Sequence, residues 1–550
     1  MTMPATPVLG ESEDPRGDLA WGTIPNLVEW AATCFADSEA LVDGDLRLSF
    51  AELAHAVDAV ARGFLAHGLV AGDRVALWAP NCAEWVLGAL GALRAGGVIV
   101  TLNTRFKGPE AAYILQNSRA RFLMSVEGFL GFDYPAMLEG LDVGDLEEII
   151  MLKGTSGGAH PDGVAVLTLD DLIQSGEAVS AKDSAERSAL IQPGDVSDLI
   201  FTSGTTGHPK GAMTSHAQTL RTFATWASIV GLRQGDRYLV VNPFFHTFGY
   251  KAGLLASLMA GATVIPEPVF DVDRVLETIA TEKISMLPGP PTLYQSILVH
   301  PRRHDVDLSS LRLGVTGAAV VPVELVIAMR EELQFETVLT AYGLTESSGV
   351  VSMCRRDDPP EIIATTSGRA IPDLDVKIID PEGNEMERGE AGEIVARGYP
   401  IMQGYFQDAE ETAKAIDAEG WLHTGDVGTM DAQGNLVITD RLKDMFVVGG
   451  FNAYPAEIEA ILRGYEGVAN VAVIGVPDER MGEVGCAYVV RGTATPSDEV
   501  FQEELLSFAK EQMANYKVPR SIVCIDELPL NASGKVLKRE LRKEHKGETS

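Results

Sequence analysis

The chain is predicted to fold as an α/β protein, with a large N-terminal lobe of several subdomains and a small α+β lobe at the C-terminus. In the large lobe, mixed and parallel sheets would be flanked by helices. Three observations predict this. Buried strand-like runs at 73–78 and 98–103 are separated by a segment of helical spacing, which is the pattern of βαβ units. The apolar run 196–201 opens into a loop of hydroxyls and glycines, TSGTTGHPKG at 202–211, and a helical segment follows at 216–229. From about Lys443 the pattern changes to a short series of helix-like and strand-like pieces. At 550 residues the chain also exceeds one ordinary core, given about 150 residues per domain. The expected domains are 1–442 and 443–550.

In order along the chain, 26–68 has helical apolar spacing around a short DGDLRLSF hairpin. A helix ending in Ala95-Gly96-Gly97 leads to the strand-like VIVTLN. The stretch 153–193, rich in Gly, Ser, Asp and Ala, reads as a surface excursion. Beyond the 202–211 loop, VVNPFFHTFGYK places His246 among three phenylalanines and a tyrosine directly after a strand. A histidine there is either a packed core residue or the edge of a ligand crevice, since α/β sheets carry such crevices at strand ends. Lys251 either snorkels outward or puts a cation near an acid substrate.

A helix and turn at 254–262, the strand ATVIP, and the proline-stiffened ISMLPGPPTLYQ follow. Residues 315–319 then end a strand in small side chains. AYGLTE at 341–346 offers an aromatic face, a hydroxyl and a carboxylate in six residues. WLHTGD at 421–426 puts Asp426 at a turn, where it either makes an Asx-turn or binds hydroxyls. The C-terminal lobe would hold a helix at 455–462, strands in VANVAVIGVPD, AYVVRG and SIVCIDELP, a helix at 498–513 and, after PLNASGK, a basic amphipathic helix.

Composition limits the function. An apolar share of 46% with 22% charged residues is that of a globular protein, and a net charge of −34 repels nucleic acid and anionic lipid. Cys34, Cys82, Cys354, Cys486 and Cys524 are scattered without metal-ligand spacing, as expected of reduced thiols. The apolar window 86–102 is broken by Arg94 and four glycines, and the first residues show no signal pattern, so a cytoplasmic enzyme without membrane contact is expected.

The 202–211 loop carries the chemistry. Glycines let backbone N–H groups approach an anion closely, neighbouring hydroxyls add donors, and Lys210 supplies a point charge of the kind that binds phosphate. The spacing departs from the Walker A loop, because no Ser or Thr follows the lysine.

These stretches together resemble the adenylate-forming enzymes: acyl-CoA synthetases, peptide-synthetase adenylation domains and luciferases. The resemblance runs in order over nearly the whole chain. It implies that Thr202, Ser203, Gly204, Thr205, Thr206, Gly207 and Lys210 hold the phosphates of ATP. Gly317, Ala318 and Ala319 would line the adenine and acyl sites, with Tyr342 and Gly343 beside the base. Thr345 would meet the α-phosphate and Glu346 would hold Mg²⁺. Asp426 and Arg441 would clamp the ribose, with Ile438 in the same nucleotide site, and His246 would orient the acyl end. Lys535, in the P-x-x-x-x-G-K pattern, would bridge carboxylate and α-phosphate. The small lobe would rotate about Lys443 and bring Gly449 and Gly450 to the pantetheine tunnel.

The implied activity is that of an acid:CoA ligase using ATP, Mg²⁺ and coenzyme A, in a possible homodimer. Loading of a carrier protein, luciferase-like oxidation and nucleotide binding without catalysis are the alternatives. NPFFHTFGYKAG with AYGLTESSGV is closer to the actinobacterial ligases for steroid CD-ring propanoates than to long-chain fatty acyl ligases. Medium-chain and aromatic acids stay open.

Overall fold

The structure is a computed structural model that describes residues 12–155, 157–203, 209–317, 321–441, 444–448, 451–453, 455–478, 481–492, 497–513, 515–530 and 536–545. The chain packs as two compact units, Met1–Val376 with Ala396–Leu422, and Lys377–Val395 with His423–Ser550. Lys443, the expected start of the C-terminal lobe, lies within the second of these.

The first unit holds two large sheets. One has nine strands, of which eight run in the order Gly404–Tyr405, Pro209–Ser215, Val196–Ser203, Val98–Thr101, Arg74–Trp78, Ala120–Phe129, Glu148–Lys153 and Ala165–Thr168. From Val196–Ser203 onward these neighbours are parallel, whereas the first three are antiparallel to one another. Val75, Ala76, Leu77 and Trp78 are all buried, as a strand covered on both faces requires. The Trp78 ring stacks on Tyr134 with centroids 4.4 Å apart.

The second sheet runs through Leu46–Ser49, Glu39–Asp43, Thr263–Pro266 and Arg237–Val240. Parallel bridges at Met286 carry it on to Leu313–Thr316, Thr337–Tyr342, Ser352–Met353 and Arg369–Ala370. Helices start where the sequence provides caps. Ser49 and Glu52 form a capping box for Phe50–Ala66, and Ser215 and Gln218 form one for His216–Val230, which stops at Gly231 with φ 83°.

The stretch 153–193, expected as a surface excursion, carries regular structure among its described residues that the sequence reading did not give it. It contains the strand Ala165–Thr168 and helices Leu169–Ser175 and Ala181–Ser188. Thr168 with Asp171, and Ser180 with Asp183, supply the N-caps that a composition count overlooks.

One sheet, most of whose residues fall in the second unit, has the order Leu374–Ile379, Gly392–Gly398, Leu422–Met430, Leu436–Arg441. A five-stranded sheet follows, in which Phe451–Ala453, Phe446–Val448, Gly482–Arg491 and Val468–Asp478 are neighbours and Ser521–Ile525 pairs parallel with Gly482–Arg491. Helices Pro455–Arg463, Asp498–Gln512 and Lys538–His545 contribute Ile458, Leu462, Phe501, Leu505 and Leu541 to its core. Among the described residues no helix is long and apolar enough to cross a membrane.

One buried group sets an acid limit on the first unit. His216 is 2% exposed, and its Nδ1 accepts the Ile24 N–H at 3.3 Å. Burial pulls its pKa down to about 4, against the opposing pull of Asp198 and Asp195. The ring is therefore neutral in the fold, while the unfolded chain takes up a proton near 6.5. As pH falls from 6.5 to 4 the unfolded state binds more protons, so stability is lost across that window, by on the order of 3 kcal/mol from this group. Urea midpoints measured between pH 7 and 4.5 should fall, and should fall less steeply in His216→Gln.

Candidate active site

The strands Val196–Ser203 and Pro209–Ser215 form a hairpin in which Thr202 pairs with Lys210. Their side chains therefore flank the 204–208 segment, which lies outside the described residues, as does the Ser203 side chain. Thr202 Oγ1 donates to Glu346 Oε1 at 3.1 Å. Glu346 stands in the short turn Thr345–Ser347, just past the strand Thr337–Tyr342. The turn is held by the Leu344 N–H to Ser347 Oγ at 3.0 Å and by the Met402 N–H to the Glu346 carbonyl at 2.8 Å.

Sequence reasoning gave Tyr405 no role. Its hydroxyl donates to the same Glu346 Oε1 at 2.9 Å. Burial, then the adjoining Glu346 carboxylate, raises the Tyr405 pKa, so the phenol stays a donor. Lys210 Nζ lies 5.3 Å from the Tyr405 ring centroid and is paired with Glu411. Glu411, also missed in the sequence, has its pKa lowered to about 2 by hydrogen bonds from Lys210 and then Lys414. Two hydroxyls thus converge on one oxygen of Glu346, with an ammonium close by. That geometry suits an anionic, metal-bound phosphate chain.

Lys210 must exchange Glu411 for a phosphate if it is to bind one. Glu411→Gln is therefore expected to lower the KM for ATP by about two- to fivefold, the scale of one partly buried ion pair that has to be broken first, with little change in kcat. Steady-state kinetics at fixed ionic strength test this, and a raised KM would contradict it.

At the ends of adjacent parallel strands, Gly317 follows Leu313–Thr316 and Tyr342 closes Thr337–Tyr342. A Cβ at Gly343 would stand 2.2 Å from the Gly349 carbonyl, so no side chain fits there. Ala318 and Ala319 lie outside the described residues.

His246 sits on a turn fixed by Asn81, a residue the sequence gave no reason to single out. Asn81 Nδ2 donates to the carbonyls of Val240 and Asn242, both at 2.9 Å, and its Oδ1 accepts the Phe244 N–H at 2.7 Å. Phe244 is buried beside Trp85, with centroids 4.9 Å apart. His246 itself is open to solvent, yet enough protein surrounds it to lower its pKa by desolvation. Its Nδ1 accepts the Phe248 N–H at 3.2 Å, which leaves Nε2 to carry the ring proton. The ring is thus a neutral donor exposed at the surface, which sets aside the packed-core reading.

The next segment is a π-helix, Phe248–Leu255, a geometry common at functional sites. It overturns both readings of Lys251. The side chain neither snorkels nor faces a substrate: it is fully buried, 2.8 Å from Asp198 Oδ1.

In the second unit, Asp426 and Arg441 face each other across the antiparallel pair Leu422–Met430 and Leu436–Arg441. Asp426 is buried, and its N–H donates to Thr424 Oγ1 at 3.1 Å. Ile438 pairs with Gly428 in the same ladder. Lys443, Gly449, Gly450, Lys535 and the Arg441 side chain lie outside the described residues.

A hydroxyl and lysine hairpin set against a carboxylate turn, on a two-unit α/β scaffold, defines a class, and comparison with known proteins agrees. The family model of the AMP-binding enzyme matches residues 28–406, and that of the AMP-binding enzyme C-terminal domain matches 457–535. The chain belongs to the AMP-binding enzyme family, and it is an AMP-forming acyl-CoA synthetase.

Among its relatives is the 3-[(3aS,4S,7aS)-7a-methyl-1,5-dioxo-octahydro-1H-inden-4-yl]propanoyl:CoA ligase of Rhodococcus jostii strain RHA1, 48% identical over 95% of this chain and 99% of that one. The Mycobacterium tuberculosis ligase of the same name is 46% identical over 94% and 98%. The crystal structure of the anthranilate CoA ligase AuaEII with anthranoyl-AMP superposes with a TM-score of 0.82 at 28% identity, covering 95% of this chain and 97% of that one.

Proposed function

We propose that this enzyme activates a propanoate side chain carried on a fused-ring ketone of the kind left by steroid ring degradation, and transfers the acyl group to CoA. The observation that carries this is the near full-length identity of 48% and 46% to two ligases named for that acid. The local match in NPFFHTFGYKAG supports the same choice.

A carboxylate resists attack by a thiol because its charge repels the nucleophile and oxide is a poor leaving group. Transfer of AMP to the carboxylate removes both obstacles. The acid oxygen attacks the α-phosphorus, pyrophosphate leaves, and the thiol later displaces AMP. The first step needs positioning and charge neutralisation more than covalent help.

In this proposal Thr202, Lys210 and the 203–207 stretch grip the phosphates, and Thr345 meets the α-phosphate. Glu346 would hold Mg²⁺. The residues fit a hard cation bound by one carboxylate plus phosphate oxygens, because Glu346 offers a single carboxylate held in place by the Thr202 and Tyr405 hydroxyls. The metal would neutralise the charge of the phosphate chain. Tyr342, Gly343 and Gly317 to Ala319 border the base, and Asp426, Arg441 and Ile438 hold the ribose side. His246 donates from Nε2 at the acyl end. Lys535 neutralises the anion formed between acid and α-phosphate. The lobe beginning at Lys443 then turns, which replaces Lys535 with the Gly449-Gly450 segment and admits CoA.

The test is pyrophosphate and AMP release across a panel of acids, with and without CoA. The bicyclic diketo-propanoate is expected to give the highest kcat/KM. A medium-chain or aromatic acid that exceeds it would replace this substrate. Adenylation without CoA thioester would favour loading of a carrier protein.

A further inference from the structure

Two charged side chains beneath the site take no part in the steps above. Asp198 and Lys251 are both 0% exposed, with Nζ 2.8 Å from Oδ1. Thr214 closes the arrangement: its hydroxyl accepts from Lys251 at 2.8 Å and donates to Asp198 Oδ1 at 2.5 Å. Ser197 Oγ donates to the other carboxylate oxygen at 2.7 Å. Every oxygen of the acid is therefore engaged, and the lysine has two acceptors.

Stability does not account for such a pair. Buried ions pay a desolvation cost, and well-packed apolar side chains of similar volume often serve a fold as well or better. What a fully bonded ion pair adds is direction, because its hydrogen bonds hold only in one relative placement of the elements that carry it. The elements here are specific. Asp198 and Thr214 face each other across the hairpin, and so do Thr202 and Lys210, four residues further along each strand toward the loop. An even spacing puts Asp198 with Thr202, and Thr214 with Lys210, on the same face of the hairpin. Lys251 comes from the π-helix Phe248–Leu255, which starts two residues after His246.

We propose that Lys251 and Asp198 are positioning residues, whose ion pair ties the His246 turn to the hairpin rung below Thr202 and Lys210. The acyl end and the phosphate end are then held in one frame when the acid attacks the α-phosphorus. This rests on the reading of Thr202 and Lys210 as phosphate ligands. Thioester formation from preformed acyl-adenylate needs no grip on pyrophosphate, so it depends less on that frame.

The test is the double variant Lys251→Met/Asp198→Asn, which removes both charges while the amide oxygen can still accept from Ser197 and the amide N–H can donate to the Thr214 hydroxyl in place of Lys251. It is expected to fold, to slow acid-dependent pyrophosphate exchange into ATP by about 10- to 100-fold, and to leave thioester formation from supplied acyl-adenylate within about threefold. Both half-reactions unchanged, or both slowed by the same factor, overturns the proposal. If the double variant fails to fold, Thr214→Val gives the reading: a selective loss of about three- to tenfold in the exchange reaction supports it, and an even or absent loss overturns it. Wild-type exchange is the control for the phosphate-site reading itself. No acid-dependent exchange in wild type would defeat that reading, whatever the variants do.

Discussion

Replacing Lys535 with alanine is expected to slow adenylation by at least about a thousandfold, some 4 kcal/mol of barrier, while thioester formation from supplied acyl-adenylate stays within about threefold. The asymmetry follows from charge. In the first step an acid anion approaches a triphosphate, and a cation between them is worth most as the new bond forms. In the second step that bond already exists, the nucleophile is a thiol, and a lysine held in place would obstruct its approach. The proposed turn of the small lobe would resolve the conflict by carrying Lys535 away after the first step. Rapid-quench measurement of each half-reaction separates the outcomes. Equal loss in both would mean that the lysine supports the fold or serves both steps, and the two-conformation scheme would fail.

Local pattern carried most of the fold. Strands such as Arg74–Trp78 and Val98–Thr101 were legible because residues buried on both faces of a parallel sheet leave an unbroken apolar run. Thr202, Lys210 and Glu346 could be singled out because their chemistry sits inside compact motifs, and the fold brings Thr202 to Glu346. Tyr405 and Glu411 were not, since each acquires its role from a partner far away in the chain: Tyr405 meets Glu346, and Glu411 meets Lys210. Asn81 was hidden for the same reason, as its amide reaches a turn about 160 residues on.

Lys251 shows a different limit. Its direction is set by a π-helix, and residue spacing tuned to 3.6 or 2 per repeat carries no signal for that geometry. The 153–193 stretch was misjudged because its caps, Thr168 and Ser180, belong to the same residue types that mark loops.

Glu346→Gln separates charge from shape at the centre of the site. Oε1 accepts hydroxyls from Thr202 at 3.1 Å and Tyr405 at 2.9 Å, and the glutamine carbonyl can accept both. The turn is otherwise held by backbone contacts at Leu344 and Met402, so the local fold should survive, with a melting temperature within a few degrees of wild type. What disappears is the negative charge that would hold Mg²⁺ in the proposed site. Adenylation is therefore expected to fall by about 10²- to 10³-fold, with half-saturation moved to higher Mg²⁺. Tyr405→Phe removes one donor and leaves the charge, so a loss of only about three- to tenfold and an unshifted Mg²⁺ dependence should follow. If Glu346→Gln kept the wild-type response to Mg²⁺, or if Tyr405→Phe were the more damaging change, the carboxylate would be a scaffold for the two hydroxyls, and the metal would have to be held elsewhere.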